Sequence, residues 1–157
     1  MREIRLSQDK VAIVDDEDYE WLNQWKWYFS CGYARRDIRI GGKRKRIYMH
    51  RAILGLGFGD NYQVDHINLN RLDNRRCNVR ICTAGQNRAN REKQKNGKAS
   101  KYKGVWWQKQ NHNWCAEITA NGQKYYLGVF NSEIEAAKAY NEAATKYFGK
   151  FGRLNCA

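Results

Sequence analysis

Apolar residues in this chain come mostly in short runs bounded by Gly, Asn and charged residues, which is the pattern of strands and turns more than of long helices. VAIV at 11–14 suits a strand. DDEDYEWLNQW then spaces Tyr19, Leu22 and Trp25 three apart, with acids ahead of them at the positive end of a short helix. YARRDIRIGGKRKRIYMHRAIL holds two runs rich in Ile, Arg and Tyr around Gly41-Gly42, which predicts a hairpin. VDHINL and VRIC read as two further strands separated by the polar loop NRLDNRRCN, and TAGQNRANR reads as a helix begun by Thr83.

Between residues 91 and 101 the stretch REKQKNGKASK is polar, basic and without large apolar groups, so it predicts a linker. Beyond it KGVWWQK, WCAEITAN and QKYYLGVF predict three strands, the last two joined at Asn121-Gly122. SEIEAAKAYNEAATKYF opens with Ser132 and Glu135 at capping-box spacing and stops at Gly149. It predicts a helix whose small alanines let its axis approach a sheet, with Ile134, Tyr140 and Tyr147 as core. There is no proline, so Gly and Asn carry the punctuation.

Composition sharpens this into a functional class. At 157 residues with 42% hydrophobic content the chain can form one ordinary domain or two small ones. Its net charge of +13 points to a polyanionic partner. The charge is uneven: residues 1–30 carry 4 Lys/Arg against 7 Asp/Glu, residues 31–103 carry 19 against 5, and residues 104–157 carry 6 against 4. Five cysteines without C-x-x-C spacing argue against a disulfide framework or zinc knuckles and fit a reducing cytoplasm. Cys77 and Cys82 are expected in the core and His112 in an exposed turn. No long apolar run marks a membrane span or a signal peptide.

The most chemically capable stretch is VDHINLNRLDNRRCNVRICTAGQN at 64–87, where an Asp-His pair is followed by Asn and Arg. Strand, loop, strand and helix would bring Asp65, His66 and Asn87 near one another. Adjacent residues on a regular strand point to opposite faces, so convergence of Asp65 and His66 predicts a bend or strand end there. With Asn78 before V-R and MHRAIL at 49–54, the stretch resembles the HNH endonuclease family, in the phage and intron-encoded branch whose third letter is Asn. The resemblance covers residues 11–95. It implies a metal-dependent phosphodiester hydrolase: His66 as general base, Asn78 as the residue pinning the loop, and Asp65 and Asn87 as ligands of Mg²⁺ or Mn²⁺. Arg71, Arg75, Arg76, Arg80 and Arg88 are then candidate phosphate contacts. His50 is read as a structural residue or a further phosphate contact.

Residues 100–155 carry YKGV, W-x-AEI, LGVF, E-x-AA-x-AY and a terminal RLN, and resemble the apetala-two or ethylene-response-factor type of DNA-binding domain. That resemblance implies a three-stranded sheet, backed by a helix, presenting a face to duplex DNA. The positions it carries over are Lys103, Gly104, Trp106, Gln108, Glu117, Thr119, Lys124 and Tyr126. Trp106, Gln108 and Thr119 stand where the plant proteins have arginine, so base preference does not transfer.

The sequence therefore predicts an α+β protein. Residues 1–95 form a ββα-metal (HNH) nuclease module, with an N-terminal strand and hairpin extension at 1–55 and the core at 60–95. Residues 96–101 are a linker, and 102–157 form a three-stranded antiparallel sheet on one helix. The expected activity is monomeric nicking of double-stranded DNA in the cytoplasm, that of the host if the gene is phage-borne. The alternative is a non-catalytic sequence-specific DNA-binding regulator.

Overall fold

Dipeptides with positive φ at both residues make the turns of two of the hairpins predicted from the sequence. Gly41-Gly42 (φ 56 and 74) and Asn121-Gly122 (φ 51 and 79) adopt the left-handed conformations that match the twist of the strands they join. The computed structural model describes residues 1–93 and 100–157. It is a mixed α and β structure that divides into two compact units, Met1–Thr83 and Ala84–Ala157.

In the first unit β1 (Arg2–Arg5) pairs antiparallel with β2 (Val11–Val14), and α1 (Asp16–Asn23) follows with Asp16, Glu17 and Asp18 in its first turn. β3 (Tyr28–Ser30), β4 (Tyr33–Ile40) and β5 (Lys43–Tyr48) form an antiparallel meander that runs into the short helix α2 (Met49–Ile53). β6 (Gln63–His66) and β7 (Val79–Cys82) make a separate antiparallel pair. Ile4, Ala12, Val14, Leu22, Trp27, Ala34, Met49, Ile53 and Val79 form one core. Complete burial of Leu22, Met49 and Val14 is worth roughly 1.5–3 kcal/mol for each side chain.

That core corrects two expectations. Trp25 lies beyond the end of α1 and is 47% exposed, whereas Trp27 is buried and donates its indole N–H to Leu22 O at 2.9 Å. Cys77 is exposed because it sits in the loop between β6 and β7, while Cys82, on the strand, is buried. The loop itself is stitched to β2 by backbone bonds on both sides of Ile13, which donates to Leu72 O and accepts from Asn74 N, each at 2.8 Å.

In the second unit α3 (Ala84–Ala89) precedes β8 (Val105–Gln108), β9 (Asn113–Ala120) and β10 (Gln123–Phe130), an antiparallel sheet in the order β10-β9-β8. α4 (Glu133–Phe148) packs on one face of this sheet. The Ser132 hydroxyl accepts from Glu135 N at 3.1 Å, which caps its first turn. Ala136, Ala137, Tyr140, Ala143 and Ala144 are its buried side, against Val105, Ala116 and Ile118. Ile134 is 49% exposed, a correction to its expected place in the core: it stands two residues before the buried alanine stripe and faces outward. Gly104 (φ 73) lets β8 approach the helix: a Cβ there would lie 2.2 Å from Tyr140 Cδ2 and 2.5 Å from Glu117 O. The terminal Asn155 clasps the fold, since it exchanges side-chain and backbone bonds with Lys103 and Asn141.

The expected linker, 96–101, lies largely outside the described residues. At its flanks Lys93 Nζ donates to Ser100 O, Tyr102 O and Val105 O.

Candidate active site

β6 ends at His66, and the chain turns at once: Ile67 N donates to Asn78 O and Leu69 N (φ 66) to His66 O, both at 2.9 Å. Asp65 and His66 are 3% and 5% exposed. Asp65 lies opposite Arg80 in the strand pairing, and Arg80 Nε and Nη2 both donate to Asp65 Oδ2, at 2.9 and 2.7 Å. The His66 ring meets other partners. It lies edge-on to His50 at 5.1 Å and 6.2 Å from Tyr33, while Tyr33 and Tyr48 flank His50 at 5.2 and 5.4 Å.

Burial lowers the His66 pKa, opposed by the Asn74 side chain and the charges of Asp65 and Asp73, and assisted by the positive charge of Arg71. His50 is pushed down to about 3, first by burial and then by the charges of His66 and Arg51. Both imidazoles are neutral near pH 7, the state in which a ring nitrogen can accept a proton.

Asn78 spans the loop that begins after His66. Its Oδ1 accepts from Asn68 N at 2.9 Å and its Nδ2 donates to Asp73 O at 2.7 Å. Asn68 and Asn70 continue the pattern: Asn68 Nδ2 reaches Asp73 Oδ2, Asn68 Oδ1 accepts from Asn70 N, and Asn70 Oδ1 accepts from Leu72 N. The asparagines thus satisfy the backbone of an irregular loop, as side-chain amides do in Asx turns.

The arginines separate by partner. Arg75 donates from Nε and Nη2 to the two oxygens of buried Asp73, which holds the Asp73 carboxyl below its usual range and raises the guanidinium. Arg76 forks onto buried Asp18 at the start of α1 and takes Asp15 through its backbone N–H. Arg80 is the partner of Asp65. Arg71 is exposed, lies 4.8 Å over the Tyr33 ring and makes no ion pair among the described residues. Asn87, half-buried, and Arg88, exposed, stand on α3 in the second unit.

The C-terminal candidates also fall into two groups. Strand pairing puts Trp106, Gln108, Glu117, Thr119, Lys124 and Tyr126 on the sheet face opposite α4. Tyr126 is 61% exposed, Lys124 lies 3.5 Å from Glu117, and the Cys115 thiol beneath them contacts Gln108 and the Tyr126 hydroxyl. Lys103 and Gly104 are half-buried and precede β8. Lys103 Nζ donates to Ala89 O at 2.6 Å and Arg91 O at 2.9 Å, and burial brings its pKa down to about 8. Gly104 is the close approach to Tyr140.

Sequence reasoning missed Tyr33 and Asn74 as neighbours of His66. Neither carries a distinguishing signal, because Asn74 is one of many asparagines and Tyr33 is distant along the chain.

Residues 48–89 match the family model of the HNH endonucleases. The chain is 27% identical over 144 residues to an uncharacterized HNH endonuclease of Acanthamoeba polyphaga mimivirus, covering 92% of this chain and 74% of that one. Shorter C-terminal matches reach plant proteins. One is a putative dehydration-responsive element-binding protein of Arabidopsis thaliana, 48% identical over 44 residues, covering 27% of this chain and 28% of the relative. Another is an AP2/ERF and B3 domain-containing transcription factor of the same plant, 47% identical over 49 residues, covering 31% of this chain and 14% of the relative. No solved structure matches. Among the described residues no helix is long and apolar enough to cross a membrane.

Proposed function

We propose that this chain is a metal-dependent DNA endonuclease that nicks duplex DNA as a monomer. The observation that carries the reading is the neutral, buried His66 at the end of β6, at the head of a loop pinned by Asn78, inside the segment that matches HNH endonucleases. His66 accepts the proton of the attacking water, and Asn78 keeps the strand end in the geometry this requires. Arg71 stands by His66, pairs with no carboxylate among the described residues and takes a phosphate oxygen. Arg88 serves the same purpose, while Arg75, Arg76 and Arg80 act chiefly by holding Asp73, Asp18 and Asp65.

β6, β7 and α3 are then the ββα-metal core of a nuclease spanning 1–95, with Asp65 and Asn87 as the ligands of Mg²⁺ or Mn²⁺. The donor set fits such an ion: a carboxylate and an amide oxygen are hard ligands. No group of three or more His, Cys, Asp or Glu suited to a metal occurs among the described residues, so Asp65 and Asn87 are the residues that would hold such a cation. When bound, it supplies Lewis acidity at the scissile phosphate and the leaving oxygen. Residues 102–157 supply target affinity through the face of Trp106, Gln108, Glu117, Thr119, Lys124 and Tyr126, with Lys103 and Gly104 supporting it from within.

The test is supercoiled plasmid incubated with Mg²⁺ or with chelator. Nicked circles form only with metal, and His66→Ala lowers the rate by about 10²-fold or more, the range of general-base catalysis, with binding unchanged. Wild-type nicking by His66→Ala, from material free of host nuclease, would remove the Asp65-His66 pair from the chemistry and favour the regulator.

A further inference from the structure

The β4–β5 hairpin divides its charges by face. Arg39 pairs with Arg44 and Asp37 with Arg46, and cross-strand partners point to the same side. Arg39, Arg44 and Arg46 are therefore on one face at the exposed end of the hairpin, and Lys43 and Lys45 are on the other. At its base the lysine face turns inward, where Ala34 is in the core and Arg36 lies 4.0 Å over the Trp25 ring. The arginine face continues down the same two strands onto Tyr33 and Tyr48, edge-to-face at 5.6 Å, and so to His50 and His66. Asp37 is the one acid in these strands, and it is shared by the Tyr28 hydroxyl, Arg44 and Arg46.

We propose that the arginine face is a track for the phosphate backbone of duplex DNA, leading the strand to His66. Only the destination rests on the nuclease reading; the track is a binding surface in its own right. One carboxylate against three exposed guanidinium groups leaves a net positive row. Guanidinium forks match phosphate oxygens as ammonium groups do not. Successive side chains on one face, such as Arg44 and Arg46, are about 7 Å apart along the strand, and a two-stranded ribbon is narrow enough to follow a groove of B-form DNA. Charges placed only to protect an edge strand from pairing would serve on either face. Here the arginines are on the face that leads to the histidines and the lysines on the face that does not.

The experiment compares two double variants of the full chain that remove equal charge from one hairpin, Arg39→Gln with Arg44→Gln, and Lys43→Gln with Lys45→Gln. Binding to a fluorescent duplex of mixed sequence is measured by anisotropy over a salt series with chelator, and DNA integrity is checked on gels. The arginine pair should reduce the magnitude of the slope of log K against log salt by about 1.8, at about 0.9 for each phosphate charge left without its guanidinium, and the lysine pair by under about 0.5. Near 0.15 M salt the arginine pair should bind about thirtyfold more weakly than wild type, the slope loss of about 1.8 multiplied by about 0.8 in log salt. Equal slopes for the two doubles, no change in either, or equal competition by duplex RNA would overturn the track. If the arginine pair melts early, Arg46→Gln replaces it, with an expected loss of about 0.9 in slope, and no loss overturns the proposal. The plasmid assay keeps the two readings apart. A slope loss in a chain that never nicks keeps the track and defeats the nuclease; nicking with unaltered slopes does the reverse.

Discussion

Removing the Asn78 amide should loosen the loop that holds His66. Asn78→Ala strands two backbone groups at once: Asn68 N–H, 2.9 Å from Oδ1, and Asp73 O, 2.7 Å from Nδ2. They do not cost the same. Asn68 is exposed and its N–H can turn to water, whereas Asp73 is 2% exposed and its carbonyl cannot. At about 1 kcal/mol for a replaceable bond and about 1–3 kcal/mol for a buried group left unmatched, the loss is roughly 2–4 kcal/mol. For a unit the size of Met1–Thr83 this lowers its melting by roughly 10 °C or more. Asn78→Asp separates the two bonds: the carboxylate still accepts from Asn68 N–H but presents an anion to Asp73 O, where an N–H donated. Hydrogen exchange with mass spectrometry on the full chain, alongside thermal melts, reads both. The Asn68 amide should exchange much faster in the alanine variant and stay protected in the aspartate variant, with both melting early. Wild-type protection of Asn68 and an unchanged melt in Asn78→Ala would refute the claim that this side chain holds the loop.

Gly104→Ala should destabilise the second unit by about 3 kcal/mol or more, because φ 73 strains an L-residue and the Cβ meets both Tyr140 and a backbone oxygen; an unaltered melt of the full chain would contradict this. His50 should make the first unit acid-sensitive. Its folded pKa, about 3, lies below its ordinary value of 6.5, so its stabilisation is complete above about pH 6.5 and is lost progressively as pH falls toward 3. Urea midpoints between pH 4 and 6 should depend less steeply on pH in His50→Leu, and identical slopes would show that the buried imidazole is not responsible.

What could be read locally was read well. Gly41-Gly42 and Asn121-Gly122 make turns because the requirement for positive φ is met inside the dipeptide, and Ser132 caps α4 because its partner is three residues away. The stretch at 64–87, with MHRAIL at 49–54, was enough to indicate a resemblance to HNH endonucleases, whose family model matches residues 48–89.

Partners distant along the chain were not legible. Arg76 meets Asp18 across 58 positions, and nothing near Arg76 distinguishes it from Arg71, which meets no carboxylate among the described residues. Arg80 meets Asp65 only because the register of β6 and β7 sets them opposite. Trp27 rather than Trp25 entered the core once the chain after α1 had bent into β3, and Cys77 stayed out because its loop packs on that core through Leu72 and leaves Cys77 exposed. Local residue order determined the hairpins at Gly41-Gly42 and Asn121-Gly122 and the cap at Ser132. Which arginine is held by a carboxylate, which lysine is buried against carbonyls and which histidine is kept neutral were decided by the tertiary structure, because charge pairing and desolvation depend on distances that the chain acquires only when it folds.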